Sequence, residues 1–551
     1  MPITRLSQLS KYYHTIKHCK WVQIYGRILL KFKTKKCHLA LPPARRSLTC
    51  AIHPFIIKDD QKHAPLQFNF LNHTIDVTPK EIWNDGRLDR LWLYNLHYFD
   101  VLNTSSVCVW QPQWIARWIA ENPPAQGGIG WDPYPTSLRI VNWIKWVLSG
   151  NQPSDELLHS LAIQVRFLSK RLEIHLLGNH LLANAKALLF AGLFFSGAEG
   201  EKWLRVGQAL FCKELSEQIL KDGGHFELSP MYHSIILEDL LDIINVLHAY
   251  GQSIPADYLT VCNSMFDWLQ QMCHPDGHIA FFNDATLGVA PTLQMLELYR
   301  ARLGLSGSYP IKKALTYLPH TGYCRIECDH FLLLADVAAI GAVYQPGHGH
   351  ADTLSFELSL RKQRFIVNSG ISCYADSEKR LMERGGASHN TLMINNLNSS
   401  MIWKNFRVAR RAHVFNTETT QSDRICSLKA SHDGYYATYK IYHTRHWKIE
   451  NGELLVEDEV NGKGWHQLSL FFHFHPDVIL RQQTDYEIGA HFMDTHGAAL
   501  LKFQVPATIV DTTYHPGFNI SLPNKKIVVE LYEQLPFRLI TSIKALESNS
   551  P

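Results

Sequence analysis

The histidines of one short segment are the side chains of this sequence best suited to chemistry. The segment opens with Gly-His-Gly-His-Ala-Asp at residues 347–352, ahead of an alternating run, and closes with Ala-Ser-His-Asn-Thr at residues 387–391. In extended chain, residues two apart point to the same side. His348 and His350 are therefore predicted to converge on one site, one as a proton carrier and the other as a candidate metal ligand, with His389 following later in the chain.

Further polar residues accompany this segment. Asn179 and His180 follow a glycine between two apolar runs, and Tyr232 precedes another apolar run. Asn368 lies beyond the alternating run that follows His350. Phenol and imidazole groups exchange protons, and amides donate hydrogen bonds. These residues are the candidates for a site that helical and strand-like segments have to assemble.

The size and composition predict a multidomain globular protein. A chain of 551 residues is too long for one hydrophobic core, so two or three domains are expected. Its apolar fraction of 46% and charged fraction of 19% are ordinary for globular proteins. No run of eighteen apolar residues is present, which argues against a transmembrane helix.

The net charge of +4 hides an uneven distribution. Residues 1–58 contain twelve Lys and Arg and no Asp or Glu, so the other 493 residues carry −8. Aromatic and aliphatic residues lie among these cations, including Trp21, Tyr25 and Leu29. Two interpretations are open: an amphipathic arm that meets an anionic lipid or polymer surface, or a basic helical extension packed on the main body.

The compartment is not fixed by the N-terminus or by the cysteines. The apolar stretch at 21–30 is broken by Gln23 and Arg27, unlike a normal secretory signal. Eleven scattered cysteines give no CxxC pair and no disulfide framework. A reducing compartment, or export without reliance on disulfides, is consistent with this usage.

The hydrophobic periodicity changes along the chain. From about 91 to 303, apolar residues recur at intervals of three and four, as in residues 138–148 and 235–250. After about 320 the period becomes two, most clearly at 353–360, with further strands predicted at 435–442 and 454–460. Helices followed by strands predict a multidomain α+β protein with separate α and β parts. Helical hairpins wound into a toroid, or another helical array, would precede an antiparallel β-sandwich.

The candidate motifs resemble the heparinase II/III superfamily of polysaccharide lyases, which includes related alginate lyases. The resemblance extends from about 91 to the C-terminus and is strongest at residues 178–180, 227–233 and 347–390, with weaker similarity at 94–99 and 131–139. It implies an N-terminal (α/α) toroid joined to a C-terminal antiparallel β-sandwich, with an active site between them. The expected divisions are a basic extension at 1–60, a toroid at 61–318 and a sandwich at 319–551.

The resemblance also implies roles for individual residues. Tyr232 matches the family tyrosine that acts as an acid and, for some sugars, also as the base, and His348 matches its catalytic histidine. Asn179 and His180 match residues that neutralise the substrate carboxylate. Tyr232 would need a lowered pKa to abstract a proton, because a free phenol has a pKa of about 10. The implied reaction is β-elimination on a uronic-acid polymer.

A zinc site is implied by the same resemblance. His350 and His389 match two histidine ligands, but Asn368 stands where the family has an aspartate. An amide lacks the charge that attracts a dication. Two alternatives therefore stay open: a zinc ion, or a His/Asn hydrogen-bonded network without an ion. No other cofactor is expected.

Three more residues are candidates for substrate binding. Arg139 and Arg384 can bind uronate carboxylates through two hydrogen bonds, or serve as structural ion-pair partners. Glu227 is a candidate for the cleft or for a buried supporting acid. The expected partner is an anionic polysaccharide, with no nucleic acid, and the basic N-terminus can contact a membrane or another polyanion.

Two other functions compete with the lyase. A glycoside hydrolase on a helical toroid would need two carboxylates, and Glu227 and Asp284 are the best pair available. A non-catalytic protein would bind a polysaccharide during capsule or exopolysaccharide assembly. The family precedent suggests a periplasmic or envelope location, and a cytoplasmic one is the alternative.

Overall fold

Most of the helices precede most of the strands along the chain, as the periodicity predicts, but three short strands at 62–76 come before the helix Arg90–Tyr98. The computed structural model describes residues 2–32, 37–58, 62–64, 66–104, 109–124, 126–307, 313–493 and 497–546. The fold is a helical (α/α) toroid followed by an antiparallel β-sandwich. Within the described ranges, no helix is long and apolar enough to cross a membrane.

The toroid is built from helices whose apolar faces pack on one another. The α-helices of the N-terminal part are α1 (Pro2–Ile16), α2 (Trp21–Phe32), α3 (Arg90–Tyr98), α4 (Trp110–Glu121), α5 (Pro133–Leu148), α6 (Asp155–Ser169), α7 (Gly178–Phe194), α8 (Gly197–Gln218), α9 (Pro230–Ala249), α10 (Ala256–Gln271) and α11 (Leu293–Arg302). Side-chain caps fix several starts: Ser154 accepts from the N–H of Leu157 in α6. α5 and α7 are buried along most of their length and form the centre of the helical core.

The first strands lie before the toroid, and the rest follow it. The strands of the small sheet and the five-stranded sheet are β1 (Lys62–Ala64), β2 (Gln67–Phe70), β3 (His73–Asp76), β4 (Leu315–Leu318), β5 (Tyr323–Cys328), β6 (Phe331–Asp336), β7 (Phe356–Leu360) and β8 (Gln363–Ile366). The remaining strands are β9 (Leu392–Ile394), β10 (Ile402–Trp403), β11 (Arg407–Val408), β12 (Val414–Gln421), β13 (Ile425–His432), β14 (Tyr442–Glu450), β15 (Glu453–His473), β16 (Val478–Thr484), β17 (Glu487–Phe492), β18 (Ala498–Phe503), β19 (Thr508–Tyr514) and β20 (Leu522–Leu546). Two short helices interrupt them, α12 (Glu378–Glu383) and α13 (Tyr436–Tyr439).

Two sheets form the sandwich. One has the order β4-β5-β6-β7-β8, and the other runs β12-β13-β14-β15-β20-β18-β17-β16, with β9 on β15 and β19 on β20. All strand pairs in both sheets are antiparallel. Alternate residues of both sheets, such as Leu333 and Leu358 from one and Val456 and Ile527 from the other, share one core.

One strand prediction is wrong. Residues 435–442 were expected to be a strand, but α13 occupies Tyr436–Tyr439 and β14 begins only at Tyr442. The positive φ of 59° at Lys440 ends the helical turn. Aromatic residues favour strands in general, yet in this segment the connection between β13 and β14 requires a turn.

A third, smaller core joins the two halves. Trp268 and Met272 from the end of the toroid pack with Tyr323, Leu332 and Leu334 from the first strands of the sandwich. This packing fixes the orientation of the β6–β7 loop, which carries His348 and His350, relative to the helices. The exact domain boundaries at 60 and 318 stay predictions.

Candidate active site

Tyr232 lies in the first turn of α9, and its position is fixed by the helix cap. Ser229 accepts a hydrogen bond from the Tyr232 N–H at 3.3 Å. The same hydroxyl donates to the carbonyl of Asp284 at 2.5 Å. One serine therefore ties the start of α9 to the loop that carries Asp284.

His348 lies in the loop between β6 and β7, which is held from both sides. Arg384 donates two hydrogen bonds to the carbonyl of Gly349, at 3.1 and 2.6 Å. A Cβ at Gly349 would lie 2.0 Å from the carbonyl oxygen of Ile340, so only glycine fits there. The loop between the two histidines is thus fixed before any ligand arrives.

The tyrosine of the helical half and the histidine of the sheet half meet where the two halves join. The ring centroids of Tyr232 and His348 are 4.1 Å apart, with an interplanar angle of 34°. The Tyr232 hydroxyl also lies 3.1 Å from the hydroxyl of Tyr374. Burial, with Tyr374 and Asp284 nearby, raises the pKa of Tyr232 well above its ordinary value. The lowered pKa that a base role would require of Tyr232 is therefore not found, and the raised pKa suits a proton donor.

Asp284 is the centre of the site. Its carboxylate accepts from His348 Nδ1 at 2.8 Å and from His350 Nε2 at 2.9 Å. Arg380 donates to both of its oxygens, at 2.5 and 2.6 Å. Burial alone would raise the pKa of Asp284, but Arg380 and the two histidines hold it well below its usual range. His348 and His350 do converge, as the sequence predicts, and their common partner is this carboxylate.

Glu227 lies on the other side of the His348 ring. Its Oε2 is 3.7 Å from His348 Nε2, and its Oε1 accepts from the backbone N–H of Asn179 at 3.4 Å. Burial raises the pKa of Glu227, and His348 only partly offsets this. Within the described residues Glu227 Oε2 has no hydrogen-bond partner. A buried oxygen without a partner is costly unless a ligand or water completes it.

Asn179 and His180 lie in the first turn of α7, at the positive end of its dipole, where the Asn179 N–H donates to Glu227 Oε1. The His180 Nδ1 contacts Glu173 Oε1 at 3.1 Å, and its ring packs 4.4 Å from Tyr134. Burial lowers the pKa of His180, but the Glu173 carboxylate outweighs burial and the net pKa is raised. This end of the helix is suited to an anionic group.

The residues expected to bind zinc do not converge on one point. His350 Nδ1 and His389 Nε2 face each other at 3.2 Å, whereas Asn368 Oδ1 bonds the other ring nitrogen of His389, Nδ1, at 3.1 Å. Across the parts of the chain that the structure describes, no three His, Cys, Asp or Glu side chains are arranged to hold a metal ion. The donor set does not fit a zinc ion with three protein ligands, because the amide oxygen lies on the far side of a ring.

The two arginines expected to bind substrate are not brought to the cleft. Arg139 is fully buried, stacks 3.8 Å over Trp118 and donates to Gln164 and to backbone carbonyls. Arg384 is also fully buried and bonds Gly349 and the backbone of residues 404–405. Both have structural roles, because a long side chain anchored by several carbonyls cannot also reach a substrate.

The sequence predicts Tyr232 and Glu227 near His348, but it does not predict the Asp284–Arg380 pair behind the ring or Tyr374 beside it. From sequence, Asp284 is a candidate only as half of a hydrolase pair, and no motif points to Arg380 or Tyr374. The one available signal for Asp284 is an Asn-Asp pair directly after the buried run 279–282. No spacing links Arg380 or Tyr374 to it, because 96 and 90 residues of chain separate them.

Comparison with known proteins identifies the family. The heparinase II/III N-terminus matches residues 106–315, and the heparinase II/III-like C-terminal domain matches residues 310–544. A heparin-sulfate lyase of Bacteroides stercoris is 28% identical over 245 residues, or 40% of this chain and 36% of that protein. One of Pedobacter heparinus is 27% identical over 256 residues, with the same coverage of each chain. The match thus spans little more than a third of each curated relative.

Solved structures share the fold at low identity. Heparinase III matches with a TM-score of 0.66 and 18% identity, covering 87% of this chain and 80% of that one. A heparan sulfate lyase from Pedobacter heparinus matches with a TM-score of 0.60 and 17% identity, covering 96% of this chain and 88% of that one. A chondroitin AC lyase of Streptomyces coelicolor matches with a TM-score of 0.53 and 9% identity, covering 89% of this chain and 78% of that one. Two successive family matches and a shared two-part architecture agree, and the chain belongs to the heparinase II/III superfamily.

Proposed function

We propose that this protein is a lyase that cleaves an anionic, uronic-acid-containing polysaccharide by β-elimination. The observation that carries the proposal is the contact between Tyr232 of the helical half and His348 of the sheet half, beside the N-terminus of α7. An acid–base pair next to an anion-binding helix end is what this reaction requires. The similarity to heparin-sulfate lyases supports the same reaction class.

The first requirement is to neutralise the uronate carboxylate. The proton on C5 of the sugar becomes acidic only when the carboxylate can accept the charge of the carbanion. The side-chain amide of Asn179 and a cationic His180, both at the positive end of the α7 dipole, would stabilise the resulting enolate-like dianion, as an oxyanion hole does. The raised pKa of His180 beside Glu173 keeps that cation present in a wider pH range.

His348 is the base in this proposal. Its Nδ1 bonds the Asp284 carboxylate, so Nδ1 carries the proton and Nε2 presents a lone pair. Arg380 fixes the carboxylate through both oxygens and keeps it ionised. A buried, ionised carboxylate stabilises the imidazolium that forms when Nε2 takes the C5 proton.

Tyr232 is the acid. A phenol whose pKa is raised is protonated at neutral pH and can donate its proton to O4 of the departing sugar. Proton transfer to O4 accompanies cleavage of the C4–O4 bond, and the electrons of the C5–H bond form the C4–C5 double bond. The products are a new hydroxyl end and a 4,5-unsaturated uronate end.

The geometry argues against the competing hydrolase. That mechanism needs two carboxyl groups facing the sugar, one protonated and one free. The oxygens of Asp284 are occupied by Arg380, His348 and His350, and the residue is fully buried. A carboxylate held in this way is available neither to protonate a leaving group nor to attack carbon.

The assay for this function follows ultraviolet absorbance of the unsaturated end. The protein is incubated separately with heparan sulfate, alginate and hyaluronan, and absorbance and new reducing ends are recorded together. A lyase gives both signals with at least one polymer. Reducing ends without absorbance would indicate hydrolysis, and neither signal on any uronate polymer would favour a binding protein.

A further inference from the structure

We propose that the two N-terminal helices form a docking surface for an anionic lipid bilayer. The N-terminal helix pair is defined as α1 and α2, within residues 2–32. The proposal needs no catalytic turnover, so it stands or falls separately from the proposed function. It rests on which faces of the two helices are exposed, what anchors the opposite faces and how charge is distributed.

The exposed face of α2 is apolar. Trp21, Tyr25, Ile28 and Leu29 have 80, 49, 55 and 48% of their surface exposed. Their spacing of i, i+4, i+7 and i+8 places them on one side of the helix. The opposite side carries Gln23 and Gly26, which are buried. This is the reverse of the usual arrangement, in which the apolar face of a surface helix packs inward.

The same spacing occurs in α1. Leu9, Tyr13 and Ile16, at i, i+4 and i+7, are 65, 66 and 51% exposed. Singly exposed apolar residues are common on protein surfaces, but two successive helices that each expose an apolar stripe are not. A surface of this kind marks an interaction site.

The inner faces are anchored, so the outward direction of the stripes is fixed by packing. In α1, Tyr12 packs against Trp403 at 5.0 Å, and Thr15 Oγ1 donates to the carbonyl of Val408. The pair therefore packs on the main body, as one of the two interpretations of the basic segment predicts, and still leaves its apolar stripes free.

Contacts to the other half of the molecule anchor α2. Lys20, just before α2, forms an ion pair with Glu217 of α8 and lies 4.0 Å over the ring of Tyr344. Gln23 donates to the carbonyl of Tyr344. A Cβ at Gly26 would lie 3.0 Å from His175 Cβ, which shows how closely α2 approaches the toroid. The pair thus bridges the sandwich and the toroid.

Positive charge surrounds the stripes. Lys17 and Arg27 are exposed and Lys11 is partly exposed, and no Asp or Glu occurs before residue 59 to neutralise them. Each Lys or Arg near an anionic membrane surface contributes about 1 kcal/mol of binding. Aromatic and aliphatic residues flanked by cations are the composition of helices that lie in the membrane interface.

Lipid fits this surface better than the other two occupants. A uronate polymer offers charge and hydroxyl groups but would leave Leu9, Ile16, Ile28 and Leu29 with little to bury against. A second copy of the helix pair would bring like charges together. An anionic bilayer satisfies both features, because the acyl region accepts the apolar stripes and the headgroups accept the cations.

Docking would also place the proposed catalytic cleft near the membrane. Trp403, on which α1 packs, belongs to the β10–β11 hairpin. Phe406 of the same hairpin lies 5.9 Å from the His348 ring. If the proposed lyase activity holds, the enzyme would act on polysaccharide at an envelope membrane, in agreement with the envelope location expected from the family.

The test is flotation of the purified full-length protein with lipid vesicles. Vesicles of phosphatidylcholine containing about a quarter phosphatidylglycerol are compared with pure phosphatidylcholine. Binding is expected only to the anionic vesicles and to weaken as salt is added. The apolar double variant Trp21→Glu, Leu29→Glu should bind anionic vesicles at least about ten-fold more weakly than the wild type. The charge double variant Lys17→Glu, Arg27→Glu should bind them more weakly by a factor of roughly five for each positive charge removed.

Trp465→Glu is the matched control, because Trp465 is 55% exposed on the sandwich, away from the helix pair in sequence. It should bind like the wild type. Thermal unfolding checks that every variant folds. If the apolar double variant does not fold, the charge double variant still tests the proposal. Equal binding of wild type and both double variants would overturn the proposal. So would binding to neutral vesicles alone, or light scattering that shows a dimer lost in the apolar variant without any vesicle binding.

Discussion

Two groups of side chains share the Asp284 carboxylate but have different surroundings. The open group consists of Asn179, His180, Glu227, Tyr232 and His348, of which His180, Tyr232 and His348 keep some solvent exposure whereas Asn179 and Glu227 are buried. The closed row lies behind it and consists of Arg380, Asp284, His350, His389 and Asn368. His348 retains 13% side-chain exposure, whereas His350 and His389 are about 1% exposed.

The closed row is a continuous chain of hydrogen bonds. In the closed row, each residue bonds the next, from Arg380 through Asp284, His350 and His389 to Asn368. Among the described residues, Glu227 Oε2 and Asn179 Oδ1 of the open group have no hydrogen-bond partner, and neither has Asn368 Nδ2 at the end of the closed row. Burial lowers the pKa of His350 to about 4, so it stays neutral. His348 therefore differs from His350 and His389 in its solvent access, and we expect it to be the histidine of the three that exchanges protons.

The largest expected effect compares two tyrosines that share one hydrogen bond. Tyr232→Phe should lower kcat by roughly 10²–10⁴-fold, because it removes the general acid. Tyr374→Phe removes only the neighbouring hydroxyl and should cost less than about ten-fold. Initial rates of unsaturated-product formation and thermal unfolding of both variants provide the measurement. Equal losses in the two variants would show that Tyr232 is not the acid.

Asp284→Asn should damage both groups. Removing this charge leaves Arg380 buried without a counter-ion, and we expect about 3–5 kcal/mol lower unfolding free energy together with loss of turnover. Because the folded pKa of Asp284 is depressed, its stabilisation is present above the unfolded pKa of about 4 and is lost as pH falls toward the folded value. Urea unfolding at several pH values measures this loss.

Asp276→Asn is the control for that experiment. Asp276 pairs with Arg364 but its side chain is 38% exposed, so the loss should stay within about 1 kcal/mol. If both variants lost the same stability, burial of the Asp284 pair would not be the cause.

A smaller, pH-dependent effect is expected at His180. Its pKa is raised, so the cation persists above the ordinary value of about 6.5 and is lost as pH rises through the folded pKa. KM for the polymer should therefore increase with pH in that range, by several-fold. His180→Gln, which cannot titrate, should show a higher KM that does not vary there. A pH-dependent KM in the variant would place the titrating group elsewhere.

The smallest expected effect is that of chelation. Asn368 bonds Nδ1 of His389, on the side of the ring away from His350, and no three metal-ligating side chains converge in the described part of the chain. A chelator should therefore leave the melting temperature and turnover unchanged. Purified protein should carry much less than one zinc per chain by elemental analysis. Stoichiometric zinc, or a drop in melting temperature after chelation, would mean that the closed row rearranges around an ion.

The predictable part of the site came from local motifs. Asn179, His180, Tyr232 and His348 were selected from short stretches of sequence, and the structure brings them into one cleft. The structural roles of Arg139 and Arg384 could not be predicted from sequence. A local motif containing an arginine looks the same whether the guanidinium group binds a substrate or a buried backbone carbonyl. The strand predicted at 435–442 is wrong for a similar reason. The aromatic periodicity of this segment contains no information about the turn that the neighbouring strands require.

By itself, the sequence determined the order of helices and strands, the family, and the residue types available for proton transfer, because these depend on periodicity and short motifs. Only the tertiary structure decided how those residues are used. It placed Asp284 and Arg380, nearly a hundred residues apart, in one ion pair behind His348. Burial and hydrogen-bond partners arise from contacts between distant segments, and they determine which histidine stays open to the cleft and which becomes part of the scaffold.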